Sequence, residues 1–331
     1  MTGAAKRKKT TARPVDLAMD QERAEKITMR SLWLDQAKSS FAEHGFDDEP
    51  FYLTLSGADG KEIEQLVTEG LIKLTETGAI AEESKNQIVA IEHNPQAQIK
   101  LLQKFPGLKV IREPVQNMLS GLALTRFPVG GREKDCRARI VNLDLNVPCE
   151  IKIHEGEVVI PLVIQIIKLG QIHAVSPRKN WLLFLTLHGE VTWPEEICQM
   201  AIEYLSENFE RVSTFSDACK TLLGDELHQA ICDKKLIDCS SLDVESQQKL
   251  LMAYVPKAIS QHAHSQGWRV TTHQNLRYGT PPKHAPMVSW IFEFSGDRRS
   301  HSNPSALYQD CIAGILNSAA RIDSFGEITP A

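Results

Sequence analysis

The sequence predicts an α/β fold with a mostly parallel sheet, and three observations indicate this class. Short apolar segments rich in β-formers alternate with helical patterns from residue 51 to residue 187. Two longer strand-like segments follow at 268–279 and 287–295, and the short proline-bearing loop between them is typical of an antiparallel pair. Between these two parts, residues 193–264 have the apolar spacing of consecutive helices. Alternation on this scale indicates parallel strands wound in one sense.

Five segments of the first part are predicted to be strands. They are FYLTLS (51–56), IVAIE (88–92), LKVI (108–111), ARIVNLDLNVP (138–148) and WLLFLTL (181–187). The first is a continuous run of β-formers, which is typical of a central strand that is covered on both faces. We therefore expect this strand inside the sheet rather than at its edge.

Helical patterns precede and connect these strands. The predicted helices are 21–44, 61–74, one that begins at Pro95 and stops at Pro106, and an apolar helix around 157–172. Beyond the fifth strand, the segments 193–212, 216–236 and 243–264 are predicted to be three helices, the last kinked by Pro256. Only one of them is needed as a crossover, so the others are expected to form an added cap or an interaction surface. Asn303 and Pro304 suit the start of a final helix that ends near residue 322.

The composition is that of an ordinary globular protein. Of the 331 residues, 42% are apolar and 24% are charged. The polar, basic start lacks the apolar segment of a secretory signal, so a cytoplasmic protein is expected. The densest apolar run, 158–172, is interrupted by polar residues and is too short to cross a bilayer, which predicts no membrane association.

Charge is unevenly distributed along the chain. The net charge of −5 argues against bulk, non-specific affinity for nucleic acid. Five basic residues and no acid lie at the start: Lys6, Arg7, Lys8, Lys9 and Arg13. We expect residues 1–20 to be a disordered tail, and an arm that binds an anionic partner stays open as the alternative.

The cysteines and histidines indicate no metal site. Seven cysteines are scattered without a CxxC pair, which predicts neither a disulfide framework nor a zinc site. His262 and His264 are two positions apart and do not share one helical face, so we interpret them as surface residues.

Polar residues and glycines follow the first two predicted strands. In FYLTLSGADG the first strand runs into a turn that holds Gly57, Asp59 and Gly60. Glycine has no Cβ, so it lets the backbone approach a ligand closely. The second strand ends at Glu92, a position where an acid accepts hydrogen bonds from ribose hydroxyls in dinucleotide-binding sheets. Because ligands of open α/β sheets bind outside the carboxyl ends of the strands, a nucleotide-type cofactor site is predicted here.

The order of these elements resembles that of the class I S-adenosylmethionine-dependent methyltransferases. That family has a Rossmann-like, doubly wound, mostly parallel sheet of seven strands, which closes with a sixth strand and a reversed seventh. The resemblance implies a methyltransferase-like domain at 50–295, with a helical insertion at about 213–265. The flanking parts are then an N-terminal helix segment at 21–49 and a C-terminal helix and tail at 296–331.

The resemblance also implies a cofactor, S-adenosylmethionine, and an activity, methyl transfer without a metal. The implied cofactor-binding residues are Gly57, Asp59, Gly60, Glu92, His93, Arg112 and Glu113. In that family, the loop corresponding to Gly57, Asp59 and Gly60 approaches the methionine part of the cofactor. The acid corresponding to Glu92 accepts hydrogen bonds from the ribose, and His93, Arg112 and Glu113 lie where the adenine is contacted. Asp144 and Asn146 in NLDLNVP fall where the methyl group and its acceptor meet, so they are the candidate catalytic residues.

An alternative prediction is a protein with the same fold but without catalytic activity. The turn after the first strand holds only two glycines, which is compatible with a catalytically silent, methyltransferase-like subunit that binds nucleic acid or a protein partner. Basic and aromatic side chains of the C-terminal strand pair are candidates to hold phosphates and stack bases: Arg269, Arg277, Tyr278 and Lys283. An NAD-dependent oxidoreductase is disfavoured because the GxGxxG motif is absent.

Overall fold

The structure is a computed structural model of the chain. It describes residues 23–44, 52–85, 87–112, 127–129, 132–134, 138–148, 152–154, 157–159, 180–190, 195–235, 237–239, 241–265, 267–279, 284–296 and 304–331. The predictions for the basic tail at 1–20 lie outside these residues.

The described strands and helices alternate from residue 52 to residue 111, as expected, and the described elements from 127 to 188 are all strands. The strands are β1 (Tyr52–Thr54), β2 (Ile88–Ile91), β3 (Lys109–Ile111), β4 (Phe127–Val129), β5 (Arg132–Lys134), β6 (Ile140–Pro148), β7 (Lys152–His154), β8 (Glu157–Val159), β9 (Trp181–His188), β10 (Trp268–Tyr278), β11 (Met287–Gly296), β12 (Ala319–Ile322) and β13 (Ile328–Pro330). The helices are α1 (Ala24–His44), α2 (Lys61–Thr68), α3 (Pro95–Lys104), α4 (Glu195–Ser206), α5 (Ser213–Leu223), α6 (Asp225–Cys232), α7 (Val244–Ser265) and α8 (Pro304–Gly314).

One large sheet organises the described part of the chain. Its nine strands lie in the order β13-β12-β10-β11-β9-β6-β1-β2-β3. Neighbours from β9 to β3 pair in parallel, and β11 is antiparallel to both β9 and β10. The α/β class, the mostly parallel sheet and the antiparallel C-terminal pair are therefore confirmed, and a Rossmann-like fold is compatible with this sheet.

The strand number differs from the expected seven. Strand β12 adds in parallel to β10, and β13 adds antiparallel to β12. Strand β12 lies where the end of a long final helix was expected, because α8 already ends at Gly314, and β13 lies in the expected tail beyond that helix. The four residues of β12 are too few to carry a periodic pattern of their own, so pairing with β10 decides their conformation.

Helices cover both faces of the sheet, and alternate residues of the central strands β1, β2 and β9 enter two separate cores. In β9, Leu183 and Leu185 contribute to the core under α4, α5, α7 and α8. Leu182 and Phe184 contribute to the core under α1, α2 and α3. This alternation follows from the period of two along a strand. It also explains why β1 and β9 read as continuous apolar runs.

Three predicted helices differ from those observed. The helix predicted at 61–74 ends at Thr68, and Gly70 beyond it has a positive φ of 73°. The helix predicted at 216–236 is two helices, α5 and α6, because the chain turns at Gly224, where φ is 83°. The helix predicted around 157–172 is wrong at its start, where β8 pairs with β7 in a hairpin, and its remainder from residue 160 lies outside the described residues. Apolar periodicity alone does not separate a short strand from a buried helix.

A disulfide joins Cys198 on α4 to Cys239, which precedes α7, with their Cα atoms 6.0 Å apart. Both residues are buried in the core on that face of the sheet. The expectation that the cysteines form no disulfide is therefore wrong for this pair. The two cysteines are 41 positions apart in the sequence, so their proximity arises from helix packing and no local motif reveals it.

Within the described ranges, no helix combines the length and the apolar character that a membrane crossing requires. The same residues contain no group of three or more His, Cys, Asp or Glu side chains arranged to hold a metal ion.

Candidate functional site

The order of the strands creates a switch point between β1 and β6. From β1 the chain proceeds through β2 to β3 on one side, and then returns to β6 on the other side of β1. The N–H of Leu55 donates to the carbonyl of Asn142 at 3.2 Å, which continues the β1–β6 pairing one residue past the end of β1. Ligands of open α/β sheets bind in the crevice at such a point.

A cavity of about 340 Å³ lies at this switch point. Its walls are the turn 55–59 after β1, Glu62 of α2, the segment 92–94 after β2, Ala97 of α3, Asp144 of β6, and Lys26, Arg30 and Trp33 of α1. The volume falls in the lower part of the range of small-molecule sites, roughly 300–1,000 Å³.

Five of the residues that were predicted from the sequence to bind the cofactor or to act in catalysis line this cavity. They are Gly57, Asp59, Glu92, His93 and Asp144. Arg112 is exposed and is not among the lining residues. Glu113 lies outside the described residues, and so does the side chain of Asn146 on β6.

Gly57 and Gly60 have different surroundings. Both have positive φ angles, 60° and 54°, which favour glycine. Gly57 lines the cavity, whereas Gly60 does not. A Cβ at Gly60 would lie 2.7 Å from Cε2 of Phe105 and 2.8 Å from Cδ1 of Leu101. The absence of a side chain at Gly60 is thus explained by the packing of α2 against α3, rather than by the approach of a ligand as expected.

Glu92 is held at the end of β2. Its N–H donates to the carbonyl of Ile111 at 3.0 Å, and its side-chain Oε1 accepts from the N–H of Asn94 at 2.8 Å. The side chain is only 11% exposed, although it lines the cavity. A carboxylate that is so little hydrated and faces a cavity is suited to accept hydrogen bonds from a ligand. His93 is 72% exposed beside it.

Glu62 forms a network that the sequence did not reveal. Its carboxyl group accepts hydrogen bonds from the hydroxyls of Tyr52 and Thr54 on β1 and from the amide of Asn142 on β6. Burial raises the pKa of Glu62, the charge of Asp144 raises it further, and the three hydrogen bonds act in the opposite direction. Burial also raises the pKa of Tyr52, and the nearby Glu62 charge adds to that shift.

A signal for this network was present in the strands. Thr54 and Asn142 are polar and fully buried in otherwise apolar strands, and buried polar side chains require partners. Glu62 lies in the first turn of α2, where acidic residues are common because they interact favourably with the helix dipole. Its position in the sequence therefore gave no sign that it takes part in a buried network.

Two buried oxygens just beyond the paired residues of β1 and β6 are without a hydrogen-bond partner among the described residues. They are Oδ1 of Asp144 and Oγ of Ser56, and both residues line the cavity. Buried polar atoms are nearly always hydrogen-bonded in folded proteins. These two therefore have the capacity to bind polar groups of a ligand.

Helix α1 forms part of the cavity wall, although its residues were expected only to pack on the domain. Lys26, Arg30 and Trp33 are 6%, 8% and 4% exposed, yet all three line the cavity. The Trp33 ring stacks on Phe184 of β9 with centroids 6.0 Å apart and an interplanar angle of 6°. No local pattern in α1 shows where on the sheet the helix packs, so these residues were not predicted from the sequence.

The residues nominated for nucleic acid lie elsewhere on the sheet. Arg269 is exposed, whereas Arg277 and Tyr278 are buried, and Lys283 is outside the described residues. Arg277 donates to Glu245 of α7 at 2.8 Å, beside a second cavity of about 290 Å³. Because the Tyr278 ring is 3% exposed, it does not offer a face on which bases stack.

Comparison of the chain with protein-family models, with curated proteins and with solved structures gives no match in any of the three.

Proposed function

We propose that the protein transfers a methyl group from S-adenosylmethionine to an oxygen or nitrogen of an acceptor. The observation that carries this proposal is the cavity at the switch point, where Glu92 ends β2 and Asp144 lies on β6. The acid at the end of β2 is the position that binds ribose hydroxyls in nucleotide-binding sheets.

The order of the strands supports the same proposal. The methyltransferase family that the sequence resembles closes its sheet with a sixth strand and a reversed seventh. Strand β10 is parallel in direction to β9, and β11 runs antiparallel between them. Strands β12 and β13 extend this sheet at one edge and leave the switch point unchanged.

The residues of the cavity fit the cofactor in three respects. Glu92 has a shielded carboxylate for the ribose. Gly57 has no Cβ to keep the backbone from the ligand. Asp144 presents a buried oxygen that is without a donor in the described part of the chain. When bound, S-adenosylmethionine supplies a methyl group activated on a sulfonium centre.

The acceptor side of the reaction needs positioning and a proton acceptor. Asp144 lies on β6 just beyond the residues that pair with β1, and its charge contributes to the raised pKa of the neighbouring Glu62, which burial raises most. We assign to Asp144 the orientation of the acceptor and the uptake of its proton.

Calorimetric titration with S-adenosylmethionine tests the proposal. Glu92→Ala is expected to weaken binding about 10- to 100-fold, because it removes charge-assisted hydrogen bonds to the ribose. The matched control is Glu76→Ala, which removes an exposed acid from a turn away from the cavity and should leave affinity unchanged. If no binding is detected at millimolar S-adenosylmethionine, the proposal is wrong. Binding without methyl transfer to any acceptor would favour the silent-subunit alternative.

A further inference from the structure

The second cavity, of about 290 Å³, is lined by the end of β10, by β12 and by the start of α7. Arg277 lines it from β10, Arg321 from β12, and Glu245 and Gln248 from α7. None of its lining residues belongs to the cavity at the switch point, and β11 and β9 lie between β10 and β6 in the sheet. It is therefore a separate site that the proposed function does not use.

Two arginines lie on one face of the sheet at this cavity. Arg277 and Arg321 are partners in the parallel register of β10 and β12, so their side chains project from the same face. Like charges at such positions repel each other. Burial lowers the pKa of the Arg277 guanidinium, and the charge of Arg321 also lowers it, whereas the charge of Glu245 raises it.

The acids beside the arginines are already engaged. The guanidinium of Arg277 donates to Oε1 of Glu245 at 2.8 Å, and Lys249 pairs with the same oxygen at 3.1 Å. Asp243 accepts from a backbone N–H in the first turn of α7 at 2.8 Å, as a helix cap does. In the described part of the chain, the half-buried side chain of Arg321 has neither a hydrogen bond nor an ion pair.

Arg277 also has a donor that its pair with Glu245 leaves unused. The side chain of Arg277 is only 9% exposed, and its Nε is buried without a hydrogen-bond partner among the described residues. Buried N–H groups are nearly always hydrogen-bonded in folded proteins. The group that satisfies these donors has to be an acceptor, and the oxygens of a carboxylate or a phosphate match the guanidinium fork.

We propose that Arg321 and Arg277 bind an oxyanionic group of a small molecule, a carboxylate or a phosphate, in the second cavity. Arg321 supplies the charge and the paired donors, and Arg277 supplies its Nε–H while its pair with Glu245 stays in place. A volume of about 290 Å³ lies at the lower limit of small-molecule sites, roughly 300–1,000 Å³. This site does not rest on the proposed methyl transfer.

Calorimetric titration of the full chain with inorganic phosphate and, separately, with acetate tests the proposal. The titrations contain no S-adenosylmethionine, and chloride holds the ionic strength constant so that general screening is the same throughout. The wild type is expected to bind at least one probe. Arg321→Gln should weaken that binding about 10- to 100-fold, because charge-assisted hydrogen bonds are lost. Arg321→Lys keeps the charge without the fork and should fall between the two.

Arg269→Gln is the matched control, because Arg269 is an exposed arginine of β10 that does not line the cavity. It removes the same charge and should leave affinity unchanged. Urea unfolding checks that Arg321→Gln keeps the fold, and the titration of the wild type does not depend on the folding of any variant.

The probe that binds more tightly identifies the oxyanion, and either result supports the site. If the wild type binds neither probe, or if Arg321→Gln binds like the wild type, the proposal is wrong. Equal weakening by Arg269→Gln would also overturn it, since the overall charge would then account for binding. Because S-adenosylmethionine is absent from these titrations, their failure leaves the proposed function intact.

Discussion

The side-chain amide of Asn142 on β6 donates a hydrogen bond to the carboxyl group of Glu62, which lies 80 positions earlier in the first turn of α2. The hydroxyls of Tyr52 and Thr54 on β1 donate to the same carboxyl group. One side chain thus ties the start of α2 to both strands at the switch point. A buried carboxyl group in this position makes stability depend on pH.

We expect Glu62→Gln to remove part of the pH dependence of stability. Burial raises the folded-state pKa of Glu62, so the fold binds this proton more tightly than the unfolded chain does. The stability of the wild type then falls as pH rises from the unfolded-state pKa, about 4.3, through the raised folded-state pKa. Glutamine stays neutral, so the advantage of the variant should grow across that window and become constant above it.

Urea unfolding at a series of pH values measures this effect. Glutamine fits the network, because its oxygen accepts from Asn142 while its amide donates to the Thr54 hydroxyl. Glu76→Gln, at an exposed position, serves as the control and should follow the wild-type profile. Parallel profiles of Glu62→Gln and the wild type would contradict the prediction.

Gly60→Ala should destabilise the fold more than a typical substitution at a positive-φ glycine. The backbone strain alone costs roughly 1–2 kcal/mol, and the clash with Phe105 and Leu101 adds overpacking of roughly 1–3 kcal/mol. Gly78→Ala is the matched control, since Gly78 has a φ of 78° and nothing lies within 4 Å of an added Cβ. Equal losses in the free energy of unfolding would show that packing at Gly60 is unimportant.

Local patterns predicted the parts of the site that lie at strand ends. Glu92 was predicted as a cofactor-binding residue because it is an acid at the end of an apolar strand. Gly57 was predicted because it lies in a glycine-containing turn that follows a strand. Both inferences needed only the geometry of parallel sheets, in which carboxyl ends share one edge. These inferences place a side chain at one edge of the sheet, but they do not show which residues lie on the other side of the cavity.

The residues that were missed depend on contacts between distant segments. Arg30 reaches the cavity because α1 packs on the face of the sheet that holds Phe184, and Cys198 meets Cys239 because α4 packs near α7. Strand β12 forms because the edge of β10 is open to it. Helix periodicity and residue spacing do not predict these contacts. A periodic pattern shows which face of an element is buried, but it does not show which other element covers that face.

Reduction of the Cys198–Cys239 disulfide should lower the free energy of unfolding. A cross-link across 41 positions removes loop entropy from the unfolded chain, which the chain-entropy model values at about 4 kcal/mol. Denaturation with and without dithiothreitol measures the loss, and Cys198→Ala should be insensitive to the reductant. Cys232→Ala, at an exposed free cysteine, should keep the sensitivity of the wild type. Alkylation of both thiols in the unreduced, unfolded chain would contradict the prediction.

Asn94→Ala should weaken the start of α3 and disturb the acid beside it. Oδ1 of Asn94 accepts from the N–H groups of Gln96 and Ala97 at 2.9 and 3.2 Å, while Pro95 at the first helical position has no N–H to satisfy. Loss of this cap is expected to cost about 1 kcal/mol in the free energy of unfolding. Asn94→Ser retains a capping oxygen and should lose only a small part of that.

The same cap determines where Glu92 is held, because the backbone N–H of Asn94 donates to Glu92 Oε1. When the helix start loosens, this N–H is no longer fixed toward the carboxylate. We therefore expect Asn94→Ala to weaken S-adenosylmethionine binding severalfold in calorimetry, and Asn94→Ser to preserve it. If both variants bind like the wild type while Asn94→Ala is destabilised, the cap supports the helix but does not position the ribose-binding acid.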